Sequence, residues 1–333
     1  MASNASTSVW EEFINTKVIN ILDTLISCYL LLFTTVVGIV GNSVTLIVLC
    51  RIGFKDASNI ILLSLAGVDL FFLIQLFIRK LSYVIEIFDS FYAEIYRSYT
   101  VCYLYVFDLA PVLISISHIV VISTERLLAV FFPLRVCQWF TRKSVTMTLI
   151  SVYLTWIIAL QPWVYSHRRV EWGYNANYNR TYTYLVFTEW YISNAEILTF
   201  FGYIIINSVT GMFCLLVATM SCAIAYRLHI LTKRRSTMTF KTVVKNSDLD
   251  LKVSRMLLVV CVVYCFCNIP SFVIYFGYYT FPVTVKHFEL NNFLRHLEEV
   301  FMALNCTANF FIYVLMSSKF HGTVIRTFHV QKS

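Results

Sequence analysis

Residues 116–135 read ISHIVVISTERLLAVFFPLR, and this stretch decides the fold. An apolar run leads into Glu125-Arg126, and Pro133-Leu134 follows seven residues after the arginine. An Arg at the end of a hydrophobic span is costly unless it snorkels to water or finds an acid. Glu125 offers one partner. An acid from another helix would offer a second, and one cation with two alternative partners is a switch.

The rest of the chain agrees with a bilayer setting. Of 333 residues, 59% are hydrophobic and 13% charged, with a mean hydropathy of +0.72. A soluble domain carries about 25% charged residues. A spanning helix needs about 20 apolar residues. Seven such windows are centred near Val37, Leu70, Ile114, Leu154, Thr210, Val263 and Ala308. The expected fold is an all-α membrane protein, a seven-transmembrane helix bundle. After the seventh helix, Phe320, Val324 and Phe328 recur every four residues with basic flanks. That pattern predicts a short amphipathic helix on the membrane surface. The expected organisation is a tail over 1–24, the membrane domain over 25–318, and the amphipathic helix and tail over 319–333.

The net charge of +8 is explained by sidedness and implies no nucleic-acid partner. Arg51, Arg135, Arg142, Lys143, Lys233, Arg234, Arg235, Lys319 and Arg326 all fall in segments on one side of the seven windows. Positive-inside topology then puts the N-terminus outside and the C-terminus in the cytoplasm. The sequons at Asn4 and Asn179 are expected to be glycosylated, and Asn305, inside the membrane, not. No apolar leader with a cleavage site is read at the start.

Ten cysteines form no metal-ligand spacing. Cys214, Cys222, Cys261, Cys265, Cys267 and Cys306 read as small buried hydrophobes. Intramembrane acids are functional-site candidates by default. Asp69 sits mid-span. Asp108 precedes Arg126 by 18 positions, or about 27 Å along a helix. It needs a cation, either a ligand ammonium or a structural partner such as Arg79 or Lys80, which are expected to snorkel at the end of the second helix. His118 reads as a hydrogen-bonded core residue.

These residues carry a resemblance. Gly41-Asn42, Leu65-Ala66-Gly67-Val68-Asp69, Glu125-Arg126 with Pro133-Leu134, Trp156, Tyr264–Pro270, and Asn309 to Tyr313 occur in order over Gly41 to Phe320. The chain resembles the rhodopsin-like (class A) G-protein-coupled receptors. NFFIYVLMSSKF and FKDASNIILLSLAGVDL are similar to the molluscan chemosensory branch, itself close to invertebrate peptide receptors. The resemblance implies a multi-pass plasma-membrane receptor with a heterotrimeric G protein as partner and no enzymatic role. It gives the coupling switch to Glu125, Arg126, Asp250, Tyr226, Pro270, Asn309 and Tyr313. It gives ligand contacts to Asp108, Arg79, Asn268 and Glu299. It gives Asp69, Ser115, Asn305 and Asn309 to a structural sodium ion, or else to a hydrogen-bonded cluster without one; no other cofactor is implied.

The sequence also departs from the family. Asn268 stands where a Trp is usual, Phe310 where a Pro is usual, and the fifth helix has no proline. The outer loop from about 165 to 195 has no Cys for Cys102. Either that loop is unbridged and held by its aromatic residues, or Cys102 pairs elsewhere, as with Cys28. A transporter would also place Asp69 and Asp108 in the membrane, but no paired internal repeat is visible. The ligand is open between a chemosensory cue, a peptide and an amine, so a peptide-neurotransmitter receptor stands as an alternative.

Overall fold

The computed structural model describes residues 16–54, 56–104, 106–161, 168–175, 179–201, 207–236, 244–280 and 288–328. Asn4 lies outside the described residues. Asp108 and Asp250 lie on helices, but their side chains are likewise outside the description.

Seven helices form the bundle. The first runs from Thr16–Thr24 through a π-helical turn, Leu25–Leu30, into Leu31–Ile52. It ends at Gly53, whose φ of 88° suits a residue without a Cβ. The second is Ala57–Phe88, and the third is Val106–Phe131, preceded by the separate helix Ser90–Leu104. The fourth is Arg142–Ala159, the fifth Asn207–Ser236, the sixth Val244–Thr280 and the seventh Phe288–Met316. Six of these are long and apolar enough to cross a membrane, among the described residues. The fourth, with 18 residues, is shorter and diluted by hydroxyl side chains. These hydroxyls are satisfied within the helix: Thr148 donates to the Ser144 carbonyl at 3.0 Å and Ser151 to that of Met147 at 2.9 Å. The fourth helix packs on the second and third, and its Trp156 indole donates to Ser117 at 2.8 Å.

The core runs down the bundle axis. Ile61, Leu65, Ile119, Ile122, Val217, Leu257 and Tyr264, from four of the spans, belong to one buried cluster. The first and seventh spans pack closely. A Cβ added at Gly41 would meet the Phe310 ring at 2.9 Å, and one at Gly38 would collide with Thr307. Asn42 ties the same pair, its amide donating to the carbonyls of Gly38 at 3.0 Å and Cys306 at 3.1 Å.

The expected amphipathic helix is present as Ser318–Phe328. Phe320 is buried, with its ring 5.9 Å from that of Tyr313. At the other end, Arg168–Asn175 and Arg180–Phe187 pair as an antiparallel hairpin, β1 and β2, with Trp172 opposite Thr183.

Two expectations are corrected. Arg79 and Lys80 do not snorkel at the end of the second helix: the helix continues to Phe88 and both side chains are buried. Glu299 on the seventh span supplies their counter-charge, so neither needs water. Cys102 and Cys28 are both free thiols, so the Cys102–Cys28 alternative falls. Cys102 instead donates its S–H to the Arg168 carbonyl at 2.8 Å. Burial pushes this thiol above its ordinary pKa, which keeps it the protonated donor.

Candidate functional site

The polar side chains gather at three depths. At one end of the bundle, Arg126 is held on two sides. Its Nη2 lies 2.6 Å from Glu125 Oε1 and donates to Ser58 Oγ at 2.7 Å. Ser58 in turn donates to the same Glu125 oxygen at 2.6 Å. Neighbouring helical residues do not normally face each other, so Ser58, from the start of the second span, closes the triangle. Nothing in the sequence around Ser58 marked it; its position relative to Arg126 exists only once the spans pack.

Glu125 and Arg126 line a cavity of about 1170 Å³. Lys252 reaches it from the sixth span, Arg227 from the fifth, Tyr313 from the seventh and Lys319 from the amphipathic helix. The Arg227 guanidinium lies over the Phe131 ring at 5.8 Å. Its neighbour Tyr226 is 68% exposed on the bundle's outer surface and is not brought to Arg126. Asp250 belongs to the sixth-span helix two residues before Lys252.

In the middle of the membrane, the structure assembles the expected acid cluster. Asp69 accepts from Ser115 Oγ at 2.9 Å on one oxygen and from Asn309 Nδ2 at 2.8 Å on the other. Cys306 is buried on the same helix as Asn309, as expected of a small hydrophobe. Asn305 is buried on the same helix. One donor on each oxygen engages the carboxylate without any ion. The set also suits a small hard cation, because Asp69 and Ser115 present oxygens and the amides of Asn305 and Asn309 can turn theirs inward.

Above this cluster, Pro270 lies inside the sixth helix, and its missing N–H leaves the Phe266 carbonyl without a helical donor. Asn268 is buried and returns its amide to the Tyr264 carbonyl at 2.9 Å. It braces its own helix beside the kink.

At the hairpin end, Glu299 carries two cations: Lys80 Nζ at 2.6 Å and Arg79 Nη2 at 3.1 Å. Beside it, His296 Nδ1 meets Asp23 at 2.6 Å and its Nε2 meets the Tyr83 hydroxyl at 3.2 Å. The second and seventh spans are thus joined by charge, and the first is tied to them through the Asp23–His296 contact. Among the described residues Glu299 is the carboxylate beside Arg79 and Lys80; the expected pairing of these cations with Asp108 falls on a side chain outside the described residues. The hairpin is anchored to the helix Ser90–Leu104 by Cys102 and by Thr183, which is buried and donates to Ser98 at 3.0 Å. Asn179, the candidate glycan acceptor, is exposed at the hairpin turn with φ 50°.

These features define a seven-helix membrane receptor, and the comparisons agree. The model of the 7 transmembrane receptor (rhodopsin family) matches residues 41–313. The chain belongs to that family and is a multi-pass membrane protein. It is 33% identical over 142 residues to the Mas-related G-protein coupled receptor member X2 of Macaca mulatta, covering 41% of this chain and 39% of that protein. The counterpart from Pan troglodytes is 34% identical over 145 residues, covering 41% of this chain and 40% of that one. Somatostatin receptor type 5 of Rattus norvegicus is 26% identical over 251 residues, 74% of this chain and 62% of the relative. The matches to the Mas-related receptors span about two-fifths of those proteins' length.

Proposed function

We propose that this chain is a G-protein-coupled receptor that takes a ligand at the hairpin end and answers at Arg126. The observation that carries this reading is the Ser58–Glu125–Arg126 triangle on the wall of the 1170 Å³ cavity. A cation held by weak alternative contacts beside a large basic-lined opening suits a partner that inserts between the helices. Swinging the sixth span about Pro270 enlarges the opening, and a ligand that binds the open arrangement more tightly supplies the bias. Asp250, on the moving helix, is the proposed second partner of Arg126. The hairpin end faces outside and the Arg126 end faces the cytoplasm of a plasma membrane, as the distribution of Lys and Arg supports.

The ligand contacts are proposed at Asp108, with Glu299 and Arg79 shaping the charge around it. Glu299 already neutralises Arg79 and Lys80 in part, which favours a cationic ligand at Asp108 over an acidic one at the lysine. A chemosensory cue or a small peptide or amine fits this chemistry; the chemosensory branch rests on the sequence of the seventh span and first inner loop. Sodium, if held, takes Asp69, Ser115, Asn305 and Asn309.

Nucleotide exchange on a purified heterotrimeric G protein tests the reading. Reconstituted chain should raise the exchange rate above that of empty membranes, and Arg126→Ala should return it to baseline. An unchanged rate across a panel of G-protein subtypes and of amine and peptide ligands would overturn it.

A further inference from the structure

A second cavity, of about 730 Å³, opens sideways between the second, third and fourth spans. It shares no lining residue with the Arg126 cavity. Its rim is apolar and faces the lipid: Phe71 is 50% exposed, and Phe107 and Ile157 49% each. Phe71 and Phe107 meet edge to face at 6.1 Å and form one wall.

Two backbone features make the space. A Cβ added at Gly67 would meet nothing within 4 Å, so the second span leaves room there. Pro111 lines the cavity from the third span, and its ring removes the N–H that would have bonded the Phe107 carbonyl. The volume lies within the roughly 300–1,000 Å³ of small-molecule sites. A lipid-facing void of this size does not stay empty in a bilayer.

The polar atoms sit at one end. Arg168, at the start of β1, lines the cavity together with Gln161. Its guanidinium rests over the Phe187 ring at 4.9 Å, and no carboxylate pairs with it among the described residues. From Gln161 inward to Tyr153 along the fourth span, eight residues give about 12 Å of apolar wall. The Tyr153 hydroxyl at the inner end is occupied with Ser64 at 3.0 Å, which is bonded to His118 at 2.8 Å.

We propose that this groove binds the acyl chain of a long-chain fatty acid, entering sideways from the bilayer, with its carboxylate on Arg168. A cation at the rim and a long apolar wall below it match an anionic head and a single unbranched tail. Arg pairs with a carboxylate bidentately. The bound chain lies against the Pro111 kink, on the same helix as Arg126.

The test uses full-length protein in phosphatidylcholine nanodiscs. A palmitic-acid analogue with a terminal diazirine is photolysed, and the labelled residues are mapped by mass spectrometry. Labels are expected on the second, third and fourth spans around Gly67, Pro111 and Ile157. Unlabelled palmitate should displace them, and hexadecanol should need at least tenfold more. Arg168→Gln should erase the difference between acid and alcohol. Gly67→Trp, which grows into the open space, should cut labelling more than tenfold while thermal stability holds; Ile157→Trp serves if that variant fails to fold. Labels scattered round the bundle, labels that palmitate does not displace because phospholipid fills the groove, or equal displacement by acid and alcohol would each overturn the proposal.

Discussion

Ser58 Oγ stands 2.7 Å from the Arg126 guanidinium while donating its own proton to Glu125. One hydroxyl from the second span therefore sets the resting position of an arginine on the third. Removing it should loosen the arginine without exposing a new buried charge. A net hydrogen bond is worth about 1 kcal/mol, which corresponds to roughly a five-fold change in a two-state population. Ser58→Ala should raise ligand-free nucleotide exchange by about that factor at matched surface expression. A basal rate equal to wild type would show that Ser58 does not restrain Arg126.

Glu299 offers a sharper stability test. It faces two buried cations, and breaking a buried pair by removing one partner costs about 3–5 kcal/mol. Glu299→Gln should lower the detergent melting temperature by several degrees. Adding Lys80→Met to that variant should recover part of the loss, because one stranded cation is gone. A double mutant no more stable than the single would place the loss elsewhere.

The mid-membrane cluster is tested with salt. If sodium binds at Asp69 with a dissociation constant of about 10 mM, 100 mM sodium adds about 1.4 kcal/mol. Wild type should then melt at a higher temperature in sodium chloride than in choline chloride, while Asp69→Asn shows no difference. A wild type indifferent to the cation would leave Asp69, Ser115 and Asn309 as a hydrogen-bonded cluster complete in itself.

The hairpin makes a prediction about redox and about sidedness. It is held by the Cys102–Arg168 and Thr183–Ser98 contacts and by no disulfide, so reductant should leave thermal stability unchanged. The exposed Asn179 at its turn should carry glycan, so that glycosidase shifts wild type and leaves Asn179→Gln with a smaller shift or none. A reductant-sensitive melt would contradict the free thiol at Cys102.

What was legible in the sequence was what is written locally. Apolar windows give helices wherever the bilayer is the solvent, so the bundle and the surface helix Ser318–Phe328 follow from periodicity alone. Glu125-Arg126 are adjacent in the chain, and their pairing was readable for that reason. Asp69, Ser115 and Asn309 were brought together by resemblance to a family, since no local rule joins residues on three helices. Pairings across helices without such a precedent stayed hidden. Glu299 with Arg79 and Lys80, and Ser58 with Arg126, depend on the rotation of each span about its axis, and periodicity of nearly uniform hydrophobicity does not fix that rotation. The hairpin escaped for another reason: its aromatic residues were visible, but neither the register of β1 against β2 nor the thiol contact beneath it is encoded in composition.

The contact of Gly41 with Phe310 bears on how this sequence is free to drift. The ring occupies the volume that any side chain at 41 would need, so the first and seventh spans share a single allotment of space. A methyl at 41 becomes tolerable only after the residue at 310 has shrunk, and a smaller residue at 310 opens a gap until 41 has grown. Each change alone disturbs the packing of the first span on the seventh, and the two together restore it.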